Sequence, residues 1–365
     1  MAKYPVRELR YEDLEAEPFR CAEPTIYAVL KEGVRFEFLV KRQPESAQAV
    51  VFGTGRLTLP REKWPFFSRH SWMRSIPGSC VFYFDPTLYL GDIDLGWCYG
   101  TNNRWYLEEI AGILAVILRK LGVAPENAVM TGSSGGGFTS ILLATLLRSR
   151  CLAINPQTDF RQYWKRYVDL LAETVLLPGE SWIEERVNAA ALIRREGYFP
   201  YIHILQNIDV RSDLDNHILP FVSALNRVNM NSGYRKLRIE FYSHPEGHNG
   251  MPPNDACVAA ILEDLQASYL DTIPVEEKTV QPVSAEYRLS GRDLTVCLKP
   301  GSDPPSRTTF AFYLYRNGQV LDKTGYARET EKIYRDLAPG RYQVKYFVKT
   351  GERKQGFPLE EIDIS

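Results

Sequence analysis

The 365-residue sequence predicts an α/β protein, a doubly wound, mostly parallel sheet followed by a C-terminal β-sandwich. Three observations carry this prediction. From about residue 48 to 270, short apolar runs alternate with longer amphipathic segments, the rhythm of strand–helix–strand crossovers. The short runs are nearly all apolar, as strands must be when helices cover both faces. From about residue 283 the rhythm changes to short alternating strands separated by turn signals.

The elements follow in order. Residues 25–30 and 34–40 flank Lys31-Glu32-Gly33 and read as an antiparallel hairpin at the front edge of the sheet. Strands are expected at 49–53, 79–84, 128–131, 151–155, 201–206 and 237–242. Helices are expected at 106–121, 138–149, 183–196, 219–228 and 255–270. The stretch 156–198 is longer than a simple crossover and rich in Tyr, Trp and Arg, which predicts a helical cap within a core of residues 1–272. Residues 273–282 read as a linker. Residues 283–365 read as a sandwich of immunoglobulin or fibronectin type III kind, with strands at 285–289, 294–298, 308–316, 319–323, 332–337 and 341–349. Asn317-Gly318 between alternating runs is a strong hairpin signal.

Composition excludes several classes. Forty-four basic and 45 acidic residues leave a net charge near −1, so no basic field points to nucleic acid. No run approaches the ~18 apolar residues of a membrane span. The first ten residues hold no apolar run of signal-peptide length, and none of the six cysteines are spaced as C-x-x-C. A cytoplasmic protein with reduced, buried cysteines is therefore expected. No H-E-x-x-H, EF-hand or Cys/His cluster is present, so neither metal nor cofactor is expected. Gly132 to Gly137 lacks the Gly-Lys-Ser/Thr ending of a phosphate loop.

The most informative stretch is Val129-Met-Thr-Gly-Ser-Ser-Gly-Gly-Gly-Phe138. Ser134 sits at the centre of a G-x-S-x-G pattern, between a strand-like and a helix-like run, the context of a nucleophile elbow. Backbones nearly touch in so sharp a turn, so positions 132 and 136 need residues without side chains. The backbone N–H of Gly135 would supply one oxyanion donor, and the loop Gly53-Thr54-Gly55 after an earlier strand the other.

A serine needs a base, and the base an orienting acid. In the α/β-hydrolase arrangement these follow in the order Ser, Asp/Glu, His. His248, flanked by Gly247 and Gly250 after the last parallel strand, is favoured over His244 as base. For the acid, Asp209 lies three residues past the preceding strand and is favoured; Asp213 is the runner-up, and Asp215 and Asp159 follow. Trp97, Arg104, Asn155 and Gln157 are candidate substrate contacts: the first two join an aromatic face to a guanidinium, and the others lie beyond a strand end where open α/β sheets bind ligands. His203 alternates within an apolar strand and reads as a core histidine.

Ser133-Ser134-Gly-Gly-Gly-Phe138, with Asn155-Pro-Gln-Thr-Asp159, Gln206-Asn207 and Gly247-His248-Asn249, resembles serine α/β-hydrolase-fold proteins linked to bacterial surface polysaccharides. It is distantly similar to a hydrolase-like component of the accessory secretion system for bacterial adhesins, and to capsule polysaccharide biosynthesis proteins. The resemblance covers roughly residues 20–270. It implies acyl or acetyl chemistry on glycans, with Ser134 and His248 in the nucleophile and base positions and Asp209 less securely placed.

The expectation is thus a serine esterase or O-acyltransferase acting on an O-acyl or O-acetyl group of a glycan. The partner would be a carbohydrate or an acylated small molecule. The alternative is a non-catalytic glycan-binding or polysaccharide-assembly protein that keeps the elbow as scaffold. Roles open to the sandwich are carbohydrate binding, homo-oligomer formation and shielding of the core.

Overall fold

The structure, a computed structural model, describes residues 4–225, 237–266, 283–299, 308–350 and 353–364. It divides into two compact units, Met1–Thr272 and Ile273–Ser365. The expected linker 273–282 and the Pro-Gly turn at 300–305 lie outside the described residues, as do the ends of the helices expected at 219–228 and 255–270.

The first unit is an α/β-hydrolase-like, doubly wound sheet. Its strands are β1 (Val6–Arg10), β2 (Thr25–Lys31), β3 (Val34–Lys41), β4 (Ala49–Phe52), β5 (Ser79–Tyr83), β6 (Ala128–Ser133), β7 (Arg150–Ile154), β8 (Tyr201–Asn207) and β9 (Leu237–Tyr242). Their spatial order is β1-β2-β3-β5-β4-β6-β7-β8-β9. Only β3 runs against its neighbours; every other pairing is parallel. The β2–β3 turn uses Glu32 and Gly33, both at positive φ, which matches the twist of a two-residue hairpin. Strand β1 is an addition to the expected set. Its mostly exposed Val-Arg-Glu-Leu-Arg carries little apolar signal because it caps the sheet edge.

Strands β4 to β8 are buried almost throughout. That burial is why they read as apolar runs rather than alternating ones. Helix α1 (Tyr106–Lys120) is amphipathic, with Ile110, Ile113, Leu114 and Ile117 turned inward. Helix α2 (Gly135–Leu147) is buried from Gly135 to Thr145, because it packs on β6 and β7 while α1 and a later helix cover it. Between β7 and β8 lie α3 (Lys165–Val175), α4 (Glu184–Val187) and α5 (Ala189–Glu196); α5 is the helix that covers α2. After β8, α6 (Arg211–Asp213) runs through a π-turn (Leu214–Ile218) into α7 (Leu219–Leu225). Helix α8 (Asn254–Gln266) packs on β6 and β7. Among the described residues no helix is long and apolar enough to cross a membrane.

The second unit is a β-sandwich of two antiparallel sheets, with strands β10 (Ser284–Ser290), β11 (Asp293–Lys299), β12 (Thr308–Arg316), β13 (Gln319–Lys323), β14 (Glu331–Tyr334), β15 (Gly340–Thr350) and β16 (Arg353–Ile364). One sheet is ordered β10-β11-β14 and the other β13-β12-β15-β16. Leu294, Val296 and Leu298 of the first meet Phe310, Phe312, Leu314, Val344 and Ile362 of the second in one core, each alternating with outward residues. Asn317 and Gly318 form the β12–β13 turn at positive φ. Strand β16 is also new relative to the sequence reading. Its Gly356 and Pro358 break the strand signal, and they are tolerated because β16 is an edge strand with a register shift opposite Pro358.

Candidate active site

Strand β6 enters a turn at Ser134 so sharp that its backbone takes φ 55° and ψ −123°, a region that costs a side-chain-bearing residue strain. Three backbone bonds hold it, Ser134 N–H to the Ile154 carbonyl (3.0 Å), and Phe138 N–H (3.1 Å) and Gln157 N–H (3.4 Å) to the Ser134 carbonyl. A Cβ at position 132 would lie 2.5 Å from the Gly136 carbonyl oxygen. One at 136 would lie 2.9 Å from the Gly53 carbonyl oxygen and 3.1 Å from Gly55 N. The glycines are thus demanded by contact between the two ends of the turn and by the loop after β4, which packs against it.

Ser134 Oγ is 2.8 Å from His248 Nε2, and His248 Nδ1 is 2.6 Å from Asp213 Oδ2. With Nδ1–H donating to the carboxylate, Nε2 is free to accept the serine proton. The three residues come from the β6–α2 turn, the loop after β9 and the helix after β8. The histidine loop is clamped by three side chains. Asn155 donates to the carbonyls of His248 (3.1 Å) and Gly250 (2.8 Å), and Asn207 to those of His244 (2.8 Å) and Gly247 (2.9 Å). The Tyr242 hydroxyl lies 2.9 Å from both Gly250 O and Asn155 Oδ1 and shares its one proton between them.

The expected acid, Asp209, is not on the imidazole. It accepts from Ser243 Oγ at 2.5 Å and is turned toward solvent. Asn207 Oδ1 accepts from the N–H groups of Asp209 and His244, so the chain turns outward at 209 before it returns. The helix that follows pairs Arg211 with Asp215 on its outer side (2.7 Å), which leaves Asp213 buried between them on the inner side. His244 accepts from Glu246 N–H and packs against Gly250.

The other expected contacts divide. Gln157 Nε2 donates to Ser134 Oγ at 2.8 Å. Trp97 does not offer a face to solvent: it is 2% exposed, stacks on Phe160 at 4.6 Å, and its indole N–H donates to Gln157 Oε1 at 2.8 Å. It braces Gln157 instead. Arg104 is directed elsewhere, to Glu109 and to the carbonyls of Lys31 and Glu32. Asn155 is buried and serves the histidine loop. Thr54 hydroxyl donates to the Tyr83 carbonyl (2.9 Å), which leaves its backbone N–H as the group it can offer a ligand. Gly135 opens α2, so its N–H has no acceptor within the helix.

No protein-family model matches the sequence. No curated protein matches it. Solved structures do resemble it. One is esterase 2 of Thermogutta terrifontis, phosphoramylated by tabun: 14% identical, TM-score 0.45, covering 70% of this chain and 97% of that one. Carboxyl esterase 2 of the mycorrhizal fungus Tuber melanosporum is 15% identical, TM-score 0.45, over 71% of this chain and 90% of that one. A chain of the glycosylation-associated Gap123 complex of Streptococcus agalactiae is 12% identical, TM-score 0.40, over 62% of this chain and 43% of that one.

Three further residues contribute to the site. Tyr163, whose ring centroid is 5.5 Å from that of His248, interacts with Ser134 through its hydroxyl, and burial raises its pKa. Asn207 and Tyr242 clamp the histidine loop from strand ends. A polar residue at the end of an apolar run was the available signal for Asn207 and Tyr242, and the Tyr- and Trp-rich cap sequence for Tyr163. His217, buried near Asp213 and His248, has its pKa pushed down to about 4, first by burial, while Asp213 opposes and His248 adds to the shift.

Proposed function

We propose that this protein is a serine ester hydrolase or O-acyltransferase that acts on an O-acyl or O-acetyl group of a glycan. The observation that carries the proposal is the pair of contacts at Ser134–His248 (2.8 Å) and His248–Asp213 (2.6 Å). As Ser134 Oγ bonds to the acyl carbon, its proton passes to His248 Nε2, and the carbonyl electrons move to oxygen. Asp213 holds the imidazole in the required tautomer and offsets the imidazolium charge. The N–H groups of Gly135 and Thr54 take the oxyanion. Collapse breaks the bond to the sugar oxygen, which leaves with the proton from His248. Water, or a second sugar hydroxyl, then takes the acyl group by the same steps in reverse order.

The glycan half of the proposal draws on the cap. Tyr163, Trp164 and Tyr167 stack in series (5.4 and 5.8 Å from Tyr163), beginning beside His248, and Trp164 is half exposed. An adjoining groove of about 760 Å³ is lined by Tyr167, Arg56, Arg61, Asp92, Asp94 and Arg166. An exposed indole beside carboxylates and guanidiniums suits the apolar face and hydroxyls of a sugar. Cytoplasmic location belongs to the same reading, supported by the free cysteines, of which Cys80, Cys98, Cys151 and Cys257 are buried.

The test is covalent labelling by a fluorophosphonate, followed by a screen of acetylated sugars against simple aryl esters. Wild-type protein should label and Ser134→Ala should not. Equal labelling of both, or none of the wild type, would remove the nucleophile assignment. Labelling with turnover of aryl esters alone would remove the glycan.

A further inference from the structure

The described lysines of the second unit fall into two groups. Lys299 is 2.6 Å from Glu286, and Lys332 is 3.4 Å from Asp322. Lys323, Lys345, Lys349 and Lys354 have no carboxylate partner among the described residues. The second group lies on one side of one sheet. Tyr313 of β12 stands opposite Lys323 of β13 and opposite Lys345 of β15, and Lys349 of β15 stands opposite Lys354 of β16. Opposite residues share a face, and so do residues two apart on a strand. Phe310, Phe312, Leu314, Val344 and Val348 alternate with this set and fill the core. The four lysines, Tyr313 and Phe347 therefore point away from it, the rings half-buried and Lys323 and Lys354 exposed. Arg341, farther along the same side of β15, is tied to Glu361 and Asp363 at 3.5 Å each, so the unpaired charge is confined to the lysine end.

Two features of this end are unfavourable for the sandwich alone. Lys349 and Lys354 are like charges directly opposite one another, which destabilises a strand pair. Two ammoniums also share one ring: Nζ of Lys345 and of Lys354 lie 5.5 and 5.7 Å from the centre of Phe347. Lys323 Nζ lies 5.1 Å from the centre of Tyr313, and Lys349 Nζ 5.5 Å from that of Tyr326. The Tyr313 and Phe347 rings adjoin, with centroids 4.6 Å apart. Positive charge is thus gathered over one aromatic floor, with ring faces in place of carboxylates.

A partner bearing negative charge would offset both features. Duplex DNA carries a charge about every 1.7 Å along its axis. These positions are sparser: Lys323 and Lys345 are two strands apart, about 10 Å, and Lys345 and Lys349 four residues apart, about 14 Å. A bilayer takes in apolar side chains that can leave the surface, but each ring just named has an ammonium against it. Well-separated carboxylates between sugar rings and hydroxyls match this spacing and this floor.

We infer that this face of the C-terminal sandwich binds a carboxylate-bearing polysaccharide, with its carboxylates on Lys323, Lys345, Lys349 and Lys354 and its sugar rings against the aromatic floor between them. The choice of a glycan over another sparse polyanion rests on the glycan chemistry proposed for the first unit. The anion site stands on the second unit's own residues and is tested without any chemistry.

The test is titration calorimetry on the full chain with polygalacturonate, neutral dextran, a single-stranded oligonucleotide and phosphatidylserine vesicles. Polygalacturonate should bind at least about tenfold more tightly than dextran. Replacing two lysines together, Lys345→Gln with Lys349→Gln, should weaken polygalacturonate at least about tenfold. Lys299→Gln, off this face, should leave it unchanged. If the double variant does not fold, Lys354→Gln, an exposed side chain on the edge strand, decides by a several-fold loss. No polygalacturonate binding at millimolar uronate, dextran bound equally well, or wild-type binding in the lysine variants would each overturn the inference. So would oligonucleotide or vesicles bound more tightly than polygalacturonate and released by the same substitutions. Absence of fluorophosphonate labelling with lysine-dependent polygalacturonate binding would remove the nucleophile and leave this site standing. Labelling without polygalacturonate binding would remove this site alone.

Discussion

Asp213 Oδ2 lies 2.6 Å from His248 Nδ1, although Asp209 is nearer in sequence to the end of β8. The helical turn between them decides which carboxylate faces inward. Asp213→Asn should therefore lower kcat by about 10³–10⁴-fold, because the amide favours the wrong tautomer of the imidazole. Asp209→Asn should change kcat less than about threefold, as its partner is Ser243. Steady-state kinetics on an aryl ester would show the contrast; the reverse ranking would return Asp209 to the site.

Asn155 makes four contacts with the parts that hold His248. It donates to the carbonyls of His248 and Gly250 and accepts from Asn207 N–H, and its Oδ1 lies 2.9 Å from the Tyr242 hydroxyl, whose one proton it shares with the Gly250 carbonyl. Asn155→Ala leaves the His248 carbonyl and the Asn207 N–H unpaired at a cost of about 2–3 kcal/mol. The rate of fluorophosphonate labelling should fall more than about tenfold, since the base is then loosely held. Denaturant unfolding and labelling rates would each register the change, and wild-type values in both would show the clamp to be idle.

Two glycine substitutions should move stability in opposite directions. Gly136→Ala drives a methyl group into the Gly53 carbonyl and should cost about 1–3 kcal/mol and abolish labelling. Gly112→Ala, in α1 with open space around it, should stabilise by about 0.5–1 kcal/mol. Thermal midpoints of the two variants should fall on either side of the wild type.

His217 makes stability sensitive to acid. Its folded pKa, about 4, lies below its ordinary 6.5. Between those values the unfolded chain binds the extra proton, so stability is full above about pH 6.5 and declines as pH falls toward 4. The loss is on the order of 3 kcal/mol at most. His217→Gln should flatten the pH dependence in that window when unfolding is followed by denaturant titration. An unchanged slope would show that other groups carry it.

Much of this molecule is legible in its residues. Apolar runs betray β4 to β8 because both faces are buried, and a run bounded by glycines betrays the elbow at Ser134. Edge strands escape such reading: β1 has no buried face to enforce a pattern, and β16 tolerates Gly356 and Pro358 where a central strand would not. Trp97 and Arg104 mislead for a related reason. Residue type shows what a side chain can bind, but its partner is set by neighbours distant in sequence, Gln157 and Phe160 for one, Lys31 and Glu32 for the other.

The local sequence determines the turn at Ser134, since backbone contacts across five residues admit nothing larger than glycine at its ends. Which carboxylate reaches His248 is decided only in three dimensions. Short-range sterics are written into consecutive residues, whereas the direction of a side chain on a helix after a turn depends on the angle at which that helix leaves the sheet.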